Sequence, residues 1–300
     1  GAENFGKQYG MKIPFVLGHE CAGVVTEVGE GVNGVRVGDR VAVETHLYCG
    51  ECYQCKIGNY HNCQNLRIYG TSCDGCFAEY ATAPANVVFK LPDSVDYEAG
   101  ALYEPGGVAM HGVQLSGVRP GDVVLVFGCG AIGQMVGRIM LACGAAKVIA
   151  VDLDDYRVDM AAQYGAIAVN SAKEDLGKIV KEHTALRGGV DVIVEVTGAP
   201  SVYNTMFDYL RPEGHVVTIA HPGTPISLDV MKSINTKGAT LKGVFGRRIW
   251  DTWYELSALV ESKCVDLRQV ATHRFPLSAA NEAFEQISKG ASKVLFLPEL

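Results

Sequence analysis

No apolar run in the 300 residues approaches the roughly 18–20 needed to span a bilayer, which argues against a membrane-crossing helix. The opening GAENFGKQYG also lacks the basic-then-apolar order of a secretory signal. An excess of basic residues is missing too: 26 Lys+Arg stand against 33 Asp+Glu, a net charge of −7 with the signs interspersed. Neither a nucleic-acid stripe nor a polybasic membrane patch is therefore visible, and nucleic acid and lipid are not expected partners. Internal repeats, low-complexity tracts and long linkers are all absent. What remains is the composition of a soluble globular protein, expected in the cytoplasm, long enough for two domains with sizeable cores.

Cysteine is not scarce, and its arrangement is the most informative feature of the chain. Cys49, Cys52, Cys55 and Cys63 stand as CxxCxxCx7C within ETHLYCGECYQCKIGNYHNC. One short loop with that spacing can fold four thiolates around a tetrahedral zinc at about 2.3 Å, leaving no open position, so the lobe reads as a structural clasp. Disulfides would need an oxidising compartment and a geometry that closely spaced cysteines rarely satisfy. An iron–sulfur run would place the fourth cysteine about three residues on and follow it with proline, whereas Gln64 follows Cys63. The other six cysteines, Cys21, Cys73, Cys76, Cys129, Cys143 and Cys264, suit a reducing compartment and are expected mostly as small core residues.

From about residue 13 to 104, short apolar runs are cut by glycine and proline: CAGVVTEVG, DRVAVET, FAEYATAP and NVVFKLP. These predict strands of an antiparallel β domain, with turns at GEGVNG and DG. From roughly 107 to 245 strands alternate with helices: VVLVFG, a helix through MVGRIMLACG, KVIAVD, DYRVDMAAQYG, AIAVN, KEDLGKIVKEH and DVIVEVTG. That alternation calls for a parallel sheet covered by helices on both faces. Beyond GHVVTIA and ATLKGVFG come the helices WDTWYELSALVES and AANEAFEQIS and the strand KVLFL, a stretch expected to pack back on the first domain.

GCGAIG, Gly128 to Gly133, follows VVLVF and opens a helix, the context that gives GxGxxG its meaning. Gly128 allows the tight turn, Gly130 lets backbone approach a pyrophosphate, and Gly133 lets helix and strand pack closely, while the helix N-terminus attracts the anion. KVIAVD then ends on Asp152, whose carboxylate would accept hydrogen bonds from both ribose hydroxyls and repel a 2′-phosphate. NAD is thereby favoured over NADP, and Leu153 follows where NADP binders often carry a basic residue. A glycine-rich structural turn beside an unrelated aspartate is the competing reading. Arg157 either lies along the adenosine side or is a solvated helix arginine; Ile132, Ile219 and Val244 complete the candidate cofactor contacts.

The clasp, the GHE at Gly18 to Glu20 and the dinucleotide motif occur in one order that resembles the zinc-dependent medium-chain alcohol dehydrogenase superfamily across essentially the whole chain. VETHLYCGECYQC, YHNCQN, DGCFAEYA and GRRIWDTWY look most like its threonine dehydrogenase branch, with sorbitol and butanediol dehydrogenases next. The resemblance implies an α/β protein: a Rossmann doubly wound parallel sheet at 107–245, a chaperonin-10-like β-barrel catalytic domain at 1–106, and a return segment at 246–300. It also implies a tetramer, NAD, a second and catalytic zinc, and a small-molecule alcohol as substrate. By the same resemblance His19 is an imidazole ligand of the catalytic zinc, and Glu20 ligates it or tunes it from close by. Glu104 of YEPGG is associated with proton movement or exchange of metal-bound water, although a glutamate opening a helix would look the same. His46 matches a histidine lining the substrate pocket, and a surface histidine beside a metal loop would be indistinguishable.

Two departures stand beside these matches. The family carries a CGTD or CGSD segment, ahead of the region where this chain begins, whose cysteine ligates the catalytic zinc; these 300 residues hold no counterpart. Cys21 is a poor replacement, since two residues past His19 on a strand it shares that face without freedom to reach around a metal. The catalytic zinc site is accordingly expected to be incomplete. The second departure is Gly107-Val108 in EPGGVAMHG, where threonine dehydrogenases usually show GN. The implied activity is oxidation of a secondary alcohol, L-threonine to 2-amino-3-oxobutanoate, with Arg247 or Arg248 and Glu44 or Glu104 expected to hold the zwitterion. A polyol or 2,3-butanediol as substrate, or cofactor binding without turnover, are the alternatives.

Overall fold

The computed structural model describes residues 14–298, so the opening GAENFGKQYG lies outside the described residues. The chain divides into two compact units, one running up to Gly107 and resuming at Gly246, the other Val108–Phe245. No helix among the described residues is long and apolar enough to cross a membrane.

In the first unit β1 (Ala22–Val24), β2 (Arg40–Val43) and β5 (Val88–Lys90) form an antiparallel sheet in the order β1-β2-β5, with Ala42 opposite both Ala22 and Phe89. A smaller ladder pairs β3 (His46–Leu47) with β4 (Arg67–Ile68), placing His46 opposite Ile68 just ahead of the clasp. The run FAEYATAP, expected as a strand, forms none: no strand among the described residues pairs with it. An apolar run becomes a strand only where a ladder partner satisfies its backbone. Here Phe77 instead packs its ring on Phe284 and Phe296. Helix α1 (Tyr103–Ser116) carries Glu104 in its first turn and leads into the second unit.

The second unit is built on β6 (Val123–Phe127), β7 (Lys147–Asp152), β8 (Ile167–Asn170), β9 (Val190–Glu195), β10 (Leu210–Thr218) and β11 (Thr240–Gly243). Their order is β11-β10-β9-β6-β7-β8 and every neighbour is parallel. Read from β6, the chain winds outward through β7 and β8 and then, from β9, in the opposite direction, so the switch point lies between β6 and β9. VVLVF of β6 is buried at all five positions, as a central strand covered on both faces must be. Helices α2 (Ala131–Ala142), α3 (Asp155–Ala162) and α4 (Leu176–His183) follow successive strands. Asp154 and Asp175 cap α3 and α4, whereas Gly130 at the N-cap of α2 supplies no side chain and leaves its first amides open.

Returning to the first unit, α5 (Asp251–Glu261) buries Trp253 and Leu256, and a parallel pair joins β12 (Ala271–Phe275) to β13 (Lys293–Phe296) around α6 (Ala280–Ser288). Arg268 pairs with Asp96 and Arg274 with Glu98, fastening this stretch to the earlier part of the unit.

Candidate metal, cofactor and catalytic sites

A helical turn at Tyr53–Lys56 carries Cys55 back toward Cys52, and a 3-10 turn at Tyr60–Asn62 delivers Cys63. The Sγ atoms of Cys52 and Cys55 lie 3.5 Å apart, those of Cys49 and Cys63 3.5 Å, and those of Cys52 and Cys63 3.9 Å. Four thiolates at about 2.3 Å from a tetrahedral zinc would be about 3.8 Å from one another, so the donor set fits the ion. Backbone amides of Cys52, Gln64 and Asn65 donate to these sulfurs. Donation from the amides of Glu51 and Cys52 lowers the Cys49 thiol to about 6, while burial pushes Cys55 up to about 12. A dication at the centre favours the thiolate at all four positions.

At the switch point, a Cβ placed on Gly133 would lie 1.8 Å from the Gly128 carbonyl oxygen, so only glycine permits this closeness of turn and helix. Beside Gly130 a Cβ would meet nothing within 4 Å, leaving room for a group in front of the α2 amides. Asp152 ends β7 with Oδ2 accepting from the Cys129 amide at 2.7 Å and Oδ1 from the amides of Leu153 and Asp154 at 2.8 and 3.1 Å. These donors fix the orientation of the carboxylate beside the glycine turn. Arg157 is half-buried, its Nε buried without a hydrogen-bond partner. Ile132 is half-buried in the first turn of α2. Ile219 and Val244 are buried, and both line the space beside Gly112 of α1.

The first unit gathers His19, Glu20 and Glu104, whose ligating atoms all lie within 4.8 Å of one another. His19 Nε2 is 3.9 Å from Glu104 Oε1. Both carboxylates already hold a cation: Glu104 Oε1 takes Arg247 Nη1 at 2.8 Å, and Glu20 Oε2 takes Lys293 Nζ of β13. Three donors match the number that a catalytic zinc takes from protein. The set would nevertheless bind a metal only by competing with two ion pairs, and it contains no thiolate.

Behind it lies a buried charge network. Glu44, fully buried, accepts from Arg247 Nε at 2.7 Å, Arg247 Nη2 at 2.5 Å, Trp253 Nε1 at 2.7 Å and the His46 amide at 2.8 Å. His46 Nδ1 lies 2.8 Å from Glu44 Oε1 and 2.7 Å from Arg247 Nη2. Burial alone would raise Glu44, but Arg247 outweighs it and holds the carboxyl below its usual range. Burial, reinforced by Arg247, lowers His46 and keeps its imidazole neutral. Burial raises Glu104 against the opposing pull of Arg247 and His19.

The family profile described as an alcohol dehydrogenase GroES-like domain matches residues 3–93, and that of zinc-binding dehydrogenases matches residues 131–262. An L-threonine 3-dehydrogenase of Bacillus licheniformis is 39% identical over 96% of this chain and 83% of its own length. The chain belongs to the zinc-binding alcohol dehydrogenases. An L-threonine 3-dehydrogenase of Pyrococcus abyssi is 40% identical with the same coverage. Among solved structures, 2R,3R-butanediol dehydrogenase from Bacillus subtilis superposes with a TM-score of 0.87 at 34% identity, covering 96% of this chain and 82% of that one.

In this zinc-binding dehydrogenase one sequence expectation changes. Arg247, expected to meet a substrate carboxylate with Glu44 or Glu104, is buried and spends its guanidinium on those two carboxylates; Arg248 pairs with Asp251 at 3.2 Å. A buried carboxylate without a cation is costly, so the internal partners claim the arginine first. Trp253 as a donor to Glu44 was not foreseen, and its position in an apolar helix pattern gave no signal.

Proposed function

We propose that this dehydrogenase oxidises L-threonine to 2-amino-3-oxobutanoate with NAD as acceptor. Likeness to L-threonine 3-dehydrogenases over 96% of the chain carries the substrate, and Asp152 carries the choice of cofactor. Its oriented carboxylate would stand against a 2′-phosphate, while ribose hydroxyls could donate to it. The dinucleotide would be held by Gly128, Gly130, Ile132 and Gly133 at the glycine turn, with Arg157, Ile219 and Val244 around it.

If bound at His19 and Glu20, beside Glu104, zinc would supply a Lewis acid for the alcohol oxygen, and NAD would supply the hydride acceptor. The chain's own groups do the rest. Glu104, raised by burial, is the carboxylate suited to take up and release the proton lost by the alcohol, and Arg247 Nη1 fixes its Oε1. His46, neutral and oriented by Glu44, offers an uncharged ring to the substrate side. The clasp at Cys49, Cys52, Cys55 and Cys63 takes no part in the chemistry and stabilises the lobe that follows His46.

One observation favours an uncharged diol instead. With Arg247 committed to Glu44 and Glu104, neither arginine considered for a threonine carboxylate is at hand. Steady-state NADH formation decides between the two: a higher kcat/KM for L-threonine than for 2,3-butanediol or sorbitol supports the first reading, and the reverse order moves the assignment to the diol or polyol.

A further inference from the structure

Three cysteines outside the clasp converge in the first unit. Cys21, Cys73 and Cys76 pack around Tyr69, Val43 and Val87, and the neighbouring Cys76 thiol, together with burial, pushes the Cys21 thiol up. The backbone forces the meeting. The amides of Gly75, Cys76 and Phe77 donate to the carbonyls of Val16, Gly18 and Leu17 at 2.8, 3.0 and 2.8 Å, laying the loop along the segment that carries His19, Glu20 and Cys21. Glycine makes the approach possible, since a Cβ at Gly75 would lie 1.9 Å from the Gly18 carbonyl oxygen. All three cysteines are free and partly exposed, and the zinc clasp uses none of them.

We propose that Cys21 and Cys76 form a thiol–disulfide modification site that reacts with low-molecular-weight disulfides. One of the two thiols, as thiolate, attacks a sulfur of the small disulfide, forming a mixed disulfide and releasing one small thiol. The neighbouring protein thiol then attacks the protein sulfur of that mixed disulfide, closing the Cys21–Cys76 bond and releasing the second small thiol. The protein loses two hydrogens and the small disulfide gains them. The bond ties the His19–Glu20 segment to the 70–77 loop. Cys73, although spaced CxxC with Cys76, is left as a bystander.

The test uses the zinc-loaded full chain treated with oxidised glutathione, alkylated, digested and examined by mass spectrometry. The expected product is a peptide containing Cys21 joined to one containing Cys76, removed by dithiothreitol, with the clasp zinc content unchanged. Cys73→Ser should form the same link. Cys21→Ser and Cys76→Ser should each leave the remaining thiol of the pair as a glutathione adduct with no link, with clasp zinc retained as a check that they fold. A Cys73–Cys76 link, or adducts without any link in the unaltered protein, would overturn the proposal. The readout is a mass, so it stands apart from which alcohol the enzyme oxidises.

Discussion

Replacing Arg247→Met removes one cation and strands two carboxylates. Arg247 gives Glu44 two hydrogen bonds, at 2.7 and 2.5 Å, and forms an ion pair with Glu104 at 2.8 Å, and all three side chains are buried. Methionine keeps most of the stem's packing, so the loss is electrostatic; breaking a buried pair from one side costs about 3–5 kcal/mol. The pH dependence follows from the sign of each shift. In the unaltered protein Glu44 is held below its usual range, so its contribution is complete above the unfolded carboxylate pKa and is lost only as pH falls through the lower folded value. Without Arg247 burial governs both Glu44 and Glu104, and their folded pKa values rise above the unfolded ones. Folding then takes up protons, and the variant gains stability as pH falls, by up to about 1.4 kcal/mol per group per pH unit. The deficit is therefore expected to be largest at pH 8 and to shrink by more than about 1.4 kcal/mol at pH 6. Urea unfolding followed by tryptophan fluorescence reports on the right unit, because the chain's two tryptophans, Trp250 and Trp253, both lie in it. A deficit under about 1 kcal/mol, or one indifferent to pH, would refute the reasoning.

Metal analysis should find about one tightly held zinc per chain, lost in Cys55→Ser, with a second zinc bound far more weakly because Glu20 and Glu104 are paired with Lys293 and Arg247; two equally tight equivalents would contradict this. Calorimetry should show NAD binding more tightly than NADP, with Asp152→Gly narrowing the gap; equal affinities in the unaltered protein would count against the ribose assignment. In kinetics with the preferred alcohol, His46→Ala should lower kcat/KM by more than about tenfold, or roughly 1.4 kcal/mol, and a change under twofold would remove His46 from the site.

Features whose chemistry forces a local spacing were legible in the sequence. The clasp is one, since a single short loop must present four sulfurs to one ion, and GCGAIG is another, since turn, phosphate approach and helix packing each demand glycine within six residues. The central strand VVLVF was readable because burial on both faces leaves an unbroken apolar run. The charge network was not readable, because Glu44 meets Arg247 across 203 residues and Trp253 across 209. Its one trace is the arginine pair Arg247-Arg248 in the otherwise apolar stretch VFGRRIW, which shows that a buried cation there needs a partner without naming it. FAEYATAP misled for a related reason: its composition fits a strand, yet pairing depends on a neighbour that local pattern does not supply. The thiols of Cys21 and Cys76 were read as core residues, since nothing in a separation of that length brings them together until the Gly18–Gly75 approach is known.

The path of the hydride itself is the most direct test of the chemistry. L-threonine carrying deuterium on its carbinol carbon, incubated with NAD and the zinc-supplemented protein, should yield reduced cofactor bearing one deuterium on the nicotinamide ring, together with 2-amino-3-oxobutanoate or its decarboxylation product, as read by mass spectrometry. Reduced cofactor that carries no label, or label transferred from deuterated 2,3-butanediol and not from threonine, would contradict it.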